Sequence, residues 1–221
     1  MVDKKKICFI FPRMEYPSGD FSLGIASIAG YLRTKFKDLD ITLIDTSFNP
    51  SFDNVSHKLK KINPDIVAIY ADTLMLNDAL KCAKFAKQIG ANVIFGGPHV
   101  TLFPKEVLKN KSVDVVSIGE GEITFEKYIN QFFSKKIYSE INGLGFKKKD
   151  KLIINKPASR IKDLDLLGMP AYDLFNVNKY KKMFFQLDSH KMGLKGISII
   201  ASRGCPFQCT YCQPTNLQVL D

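Results

Sequence analysis

Five short runs, "KKKICFIFP", "DITLID", "PDIVAIYA", "ANVIFGG" and "VDVVSIG", are apolar almost throughout, and each is followed by a segment with helical spacing. A strand that alternates apolar and polar residues has one wet face, whereas a strand apolar at every position is covered on both. The intervening segments supply the cover. In "SLGIASIAGYLRTKF", Ile25, Ile28, Ala29, Leu32 and Phe36 recur at helical intervals; "FDNVSHKLKKI", "LNDALKCAKFAKQIG" (closed by Gly90), "PKEVLKN" and "EITFEKYINQFF" complete the alternation. Wholly apolar strands alternating with amphipathic helices predict an α/β fold, a flavodoxin-like (Rossmann-like), doubly wound, five-stranded parallel sheet over residues 4–134.

Beyond Ser134 the pattern changes. "INGLGFKKKDKLIINKP" holds two short strand-like runs about a charged "KKKDK" tip and reads as a hairpin. "ASRIKDLDLLGMPAYDLF", broken by Gly168 and Pro170, reads as a linker packed on something. Residues 135–196 are therefore expected to form hairpin and linker. "GISIIASRG" then reads as another buried strand, and residues 197–221 as the start of a second domain whose remainder the sequence does not contain.

No segment reaches eighteen apolar residues, and "ICFIF" is too short for a signal segment and ends at Pro12, so a cytoplasmic protein without a membrane span is expected. The formal charge of +10 raises the question of nucleic acid. Only four of the 32 basic residues are arginine, and the lysines are spread along helix faces, which reads as a solvated surface.

In a doubly wound sheet, ligands bind at the carboxyl ends of the strands. The loops there are "PRMEYPSGD", "ADTLML", "GGPHVT" and "GEGE". Their glycines permit close backbone approach, although none matches the dinucleotide or NTP loop pattern, and "GGPH" alone is also compatible with a plain turn. The sharpest feature lies later, in "SRGCPFQCTYCQPT": Cys205, Cys209 and Cys212 fall within eight positions. A structural zinc site wants four ligands. Cys8, inside a strand, and Cys82, inside a helix, read as small buried residues. Three thiolates on one tight loop suit a four-iron cubane with one iron left open.

The C-x3-C-x-aromatic-C spacing after "SRG" resembles the signature of the radical S-adenosylmethionine (SAM) superfamily. Upstream, "YPSGDFSLGIASIAGYL", "GGPHVTLFP" and "GEGE" resemble the cobalamin-binding domain of its B12-dependent branch, and "LLGMPAYDLF" the linker between the two. The resemblance implies that Cys205, Cys209 and Cys212 hold a [4Fe-4S] cluster whose open iron binds SAM, with Tyr211 beside the adenine. It implies reductive cleavage of SAM and, as the leading expectation, methyl transfer from cobalamin to an unactivated carbon. Cobalamin would be held by Gly96, Gly97, Pro98, His99 and Thr101 on one loop and by Gly119, Glu120, Gly121 and Glu122 on the next, with Thr73 facing the lower side of the corrin.

The D-x-H-x-x-G pattern with a cobalt-binding histidine is absent, since Thr73 and Leu74 follow Asp72. Cobalt without a histidine ligand is expected, with His99 contacting the nucleotide tail and no role for His57 or His190. The resemblance further implies the first strand and cluster loop of a truncated partial (β/α)6 barrel, a small-molecule, natural-product or lipid-type substrate, and a reductant protein such as flavodoxin or ferredoxin. Two alternatives stay open. One is a cobalamin-binding module without catalysis. The other is a methylthiotransferase-like RNA-modifying enzyme, which would want further N-terminal cluster cysteines that Cys8 and Cys82 do not supply.

Overall fold

The computed structural model describes residues 5–15, 20–134, 137–183, 196–205, 207 and 210–211. Five parallel strands form its centre: β1 (Lys5–Phe11), β2 (Leu39–Asp45), β3 (Ile66–Tyr70), β4 (Asn92–Gly96) and β5 (Val115–Ser117). Their order, β2-β1-β3-β4-β5, is the flavodoxin-like one expected from the alternation, with the switch point between β1 and β3.

The two-sided burial inferred from the apolar runs is carried out residue by residue. Along β1, Ile7, Phe9 and Phe11 join one core, with Ile25 and Leu32 of α1 (Leu23–Lys35) and Phe125 and Tyr128 of α6 (Glu122–Phe132). Cys8 and Ile10 point the other way, to Leu59 of α2 (Phe52–Ile62) and Cys82 of α3 (Leu76–Gln88). Local chemistry sets the helix ends. The Ser22 and Ser51 hydroxyls accept from the amides of Ile25 (3.2 Å) and Asn54 (3.3 Å), capping α1 and α2, and α2 stops at Asn63 in the left-handed region.

The hairpin extends this same sheet. β6 (Leu144–Lys148) pairs antiparallel with β5, and β7 (Lys151–Ile154) pairs with β6, giving seven strands in all. The five parallel strands are those read from sequence; the two added ones cover the edge that three-residue β5 would otherwise leave open. Leu144 and Phe146 enter the α1/α6 core, which holds the hairpin in register.

The linker crosses α1. The Ala171 amide donates to the Ala26 carbonyl at 2.8 Å, and Arg33 pairs with Asp173 at 2.7 Å. Gly30 makes this crossing possible, because a Cβ there would collide with the Met169 carbonyl. The linker then reaches α7 (Val177–Met183), where Tyr180 donates to Asp45 (2.7 Å) and lies 2.8 Å from the Ser47 hydroxyl, among Phe21, Phe48 and Phe175. The ends of β1 and β2 are thereby covered, whereas among the described residues those of β3, β4 and β5 border an open space.

Residues 196–203 form neither helix nor strand. The run read from sequence as a buried strand has no ladder partner among the described residues, and Ile199 is 72% exposed. A strand exists through its pairing, and apolar composition alone does not supply that. No helix among the described residues is long and apolar enough to cross a membrane.

Candidate functional site

A cavity of about 560 Å³ opens where the ends of β3, β4 and β5 meet the first turns of α1 and α6. Its floor is apolar and reaches between sheet and helices through Phe9, Ala68, Ile94 and Phe125. Its rim is made by Gly96, Gly97, Pro98 and Thr101 on one side and Gly119, Glu120, Gly121 and Glu122 on the other, and residues 157–161 close a third side. Two loops far apart in sequence thus face one space.

Backbone requirements explain the glycines. Gly97 sits at φ +114°, and a Cβ there would lie 2.6 Å from the Ala71 carbonyl oxygen, so the chain can turn from β4 into the short helix α4 (Pro98–Leu102) only without a side chain. The stretch "PHVTL", read from sequence as loop, is this helix. It is followed at once by α5 (Pro104–Lys109). Thr101 joins the two rims: its hydroxyl donates to the Gly97 carbonyl and accepts from the Gly119 amide, both at 3.1 Å.

One polar atom in the cavity wall stands out. Ser117, at the end of β5, is buried with its hydroxyl unpartnered within the protein, and it lines the cavity. Buried hydroxyls are normally hydrogen-bonded, and one left unmatched at the wall of a cavity is suited to a ligand's polar edge. An apolar slot with an unpartnered serine hydroxyl in its wall fits a flat aromatic base, and the glycine rim admits a bulky group against the backbone.

The two rim carboxylates do something not anticipated. Arg203, just ahead of the cysteine motif, places Nη1 3.0 Å from Glu120 Oε1 and 3.3 Å from Glu122 Oε2, and Nη2 2.6 Å from Glu122 Oε1. Ser27 of α1 adds to the group, donating to Glu122 Oε1 at 2.6 Å and accepting from Arg203 Nη2 at 3.1 Å. The other oxygen of Glu120 accepts from the Ile161 amide at 2.7 Å. Burial pushes the Glu122 carboxyl up, but hydrogen bonds from Arg203 and Ser27 outweigh it, and the group is held below the ordinary carboxylate range. The same pairing holds the Arg203 guanidinium above its ordinary value.

Of the residues chosen from sequence, Gly96, Gly97, Pro98, Thr101, Gly119, Glu120, Gly121 and Glu122 line the cavity. Thr73 and His99 are not among its lining residues; they face each other, with Thr73 Oγ1 3.0 Å from His99 Nδ1. Cys205 and Tyr211 are exposed, while Cys209 and Cys212 lie outside the described residues. Among the described residues no three histidine, cysteine or acidic side chains are grouped as a metal site. Cys8 and Cys82 are fully buried, and burial pushes both thiols up to about 12, which agrees with packing roles. Ser27, Ser117 and Arg203 were missed. Arg203 carried a usable signal, being one of four arginines and next to the cysteines, with "GEGE" offering two opposite charges.

Comparison with known proteins bears on this geometry. Residues 20–129 match the B12 binding domain family. An uncharacterised methyltransferase of Pyrococcus horikoshii is 34% identical over 194 residues, covering 86% of this chain and 40% of that protein. The cobalamin-dependent radical SAM methyltransferase TokK of Streptomyces tokunonensis is 26% identical over 156 residues, 68% of this chain and 22% of that protein. Among solved structures, the cobalamin-dependent SAM radical enzyme OxsB with aqua-cobalamin and SAM bound superposes with a TM-score of 0.68 at 16% identity. That match covers 82% of this chain and 26% of OxsB, and is a likeness of fold. The chain spans two fifths or less of the length of these relatives.

Proposed function

The chain belongs to the cobalamin-binding radical SAM family, with residues 20–129 as its B12-binding domain, and from that premise we propose that it is the cobalamin-carrying part of a radical SAM methyltransferase. The observation that carries the reading is the cavity at the open ends of β3, β4 and β5, with its apolar floor, glycine rim and unpartnered Ser117 hydroxyl.

In this reading the nucleotide tail of cobalamin lies in the slot between sheet and helices. Phe9, Ala68, Ile94 and Phe125 exclude water around the flat base, and Ser117 offers it a hydrogen bond. Gly96, Gly97 and Pro98 admit the bulk of the cofactor against the backbone, and Thr101 keeps the two rims at a fixed separation through its bonds to Gly97 and Gly119. In this reading cobalt carries no histidine ligand, because His99, whose Nδ1 faces Thr73, is not among the residues that line the cavity.

Cys205, Cys209 and Cys212 would hold a [4Fe-4S] cluster, with Tyr211 alongside SAM. When bound, these groups supply a carbon radical on the substrate, and cobalamin supplies the methyl group. The substrate is a small molecule with an unactivated carbon, and the electrons come from a reductant protein of the flavodoxin or ferredoxin kind.

Titration of the 221-residue chain with hydroxocobalamin tests the reading. A saturable change in the corrin absorption bands is expected, with competition by dicyanocobinamide, which lacks the nucleotide base, weaker than by cyanocobalamin. Absence of any change at high micromolar hydroxocobalamin would overturn it.

A further inference from the structure

Arg203 stands 81 to 83 positions from the two glutamates it binds and 176 from Ser27, so its side chain closes one of the longest connections in the described chain. The connection is built rather than incidental. The Glu122 side chain is only 3% exposed, and its oxygens are met by Ser27 and both terminal nitrogens of the guanidinium. A planar fork that spans two carboxylates is something arginine does and lysine does not. Ile200, Arg203 and Gly204 also line the cavity, so the segment forms part of its wall. Ser198 adds a lesser tie, donating to Asp20 at 2.6 Å.

We propose that Arg203 is a positioning residue: seated by Glu120, Glu122 and Ser27, it fixes residues 196–205 against the cavity rim, so that the cysteine motif leaves the domain at the cavity mouth. Two peptide units separate Arg203 from Cys205, which keeps the Cα of the first cysteine within about 7 Å of the Arg203 Cα. The segment needs such a device. Among the described residues it has no strand ladder, and its isoleucines are exposed, so neither backbone pairing nor apolar burial within those residues orders it. Glu120 and Glu122 therefore act on the motif through Arg203, in addition to bordering the space that the proposed function assigns to cobalamin. The positional claim rests on that reading only for the identity of what fills the cavity.

Hydrogen exchange of the full chain without ligand tests the seat independently of cobalamin. Arg203→Met is expected to speed exchange of the amides of 196–205 by about tenfold, and Arg203→Lys to recover part of the protection. Arg203→Met leaves the Glu122 carboxylate buried and unpaired, so the double variant Glu122→Gln/Arg203→Met, which retains no orphan charge, is measured beside it and should loosen the same amides. Arg33→Ala, which cuts the Arg33–Asp173 tie on the linker, should leave 196–205 unchanged.

Unchanged exchange in both Arg203→Met variants, or equal loosening by Arg33→Ala, overturns the proposal. In a second arm, hydroxocobalamin affinity should fall about fivefold in Arg203→Met and less in Arg203→Lys. Loosened exchange with unaltered affinity would overturn the claim that the segment walls the cavity. Failure of wild-type protein to bind hydroxocobalamin would instead overturn the proposed function, and the exchange arm would still decide the seat.

Discussion

Thr73, on the connection after β3, and His99, in the first turn of α4, meet through Oγ1 and Nδ1 at 3.0 Å. His99 is otherwise packed on Phe103, with ring centroids 5.2 Å apart, and is 8% exposed. Its ring is thus held by the protein and does not line the cavity. His99→Ala should lower stability by about 1–3 kcal/mol, through the lost packing and the stranded threonine hydroxyl. It should change hydroxocobalamin affinity by less than about threefold. Electron paramagnetic resonance of the bound Co(II) form should show no imidazole superhyperfine splitting; a splitting lost in His99→Ala would reverse the assignment.

The Glu122 carboxyl is depressed in the folded chain, so its contribution to stability is complete above the unfolded value of about 4.3 and is lost as pH falls through the lower folded value. Urea midpoints measured from pH 7 downward should therefore drop in the acid range. In Glu122→Gln the profile should be flatter there. Asp173 is depressed as well, by Arg33, but that pair is solvent-exposed and should add little to the slope. An acid limb identical in Glu122→Gln and wild type would contradict the pairing with Arg203.

The parallel sheet was legible because burial on both faces leaves an unambiguous trace: Ile7 through Phe11 are apolar whichever core they enter. The hairpin was also legible as a hairpin, but its place beside β5 was not, because strand pairing is decided by neighbours that a local pattern does not name. The same limit applied to the site. Glycine-rich connections after β4 and β5 marked the rim, since close approach needs glycine whatever the ligand. The partners of Glu120 and Glu122 could not be read locally, because Arg203 and Ser27 come from opposite ends of the sequence. Nor could Ser117 be singled out, as only the cavity makes its hydroxyl unusual. "GISIIASRG" was read as the first strand of a further domain, and it has no ladder among the described residues because β-propensity describes a residue's fit to a sheet and does not supply a strand to pair with.

Gly97 offers a test of the rim. At φ +114° with the Ala71 carbonyl oxygen 2.6 Å from a Cβ position, Gly97→Ala forces the β4–α4 turn to move. A loss of about 1–3 kcal/mol in thermal or urea unfolding is expected, together with weakened hydroxocobalamin binding. Gly90→Ala is the control for backbone strain alone. It too has positive φ, +79°, but a Cβ there meets nothing within 4 Å, and it lies at the other end of α3. Gly90→Ala should cost stability without weakening hydroxocobalamin binding, and equal effects on binding from both changes would remove the rim from the site.

Ser117 separates ligand binding from folding, because the two should respond in opposite directions. Its hydroxyl is buried without a partner in the protein, so the folded chain bears a desolvation cost of about 1–3 kcal/mol that the unfolded chain, solvated by water, does not. Replacing the hydroxyl with hydrogen in Ser117→Ala removes that cost and leaves a space of only one atom. The ligand-free protein should be as stable as wild type or more so. If the hydroxyl is instead reserved for the polar edge of a base in the slot, the same change removes one hydrogen bond from the complex. Hydroxocobalamin should then bind about five- to tenfold more weakly, the loss expected for a net bond of about 1 kcal/mol or slightly more. Dicyanocobinamide, which has no base, should be indifferent to the change. Ser117→Thr keeps the hydroxyl and should retain most of the affinity if the added methyl is tolerated beside Gly96, whose Cβ position lies 4.0 Å from the Ser117 Cβ. Reduced stability in Ser117→Ala would mean that the hydroxyl has a partner in the folded chain after all. Equal weakening of hydroxocobalamin and dicyanocobinamide would place the base elsewhere.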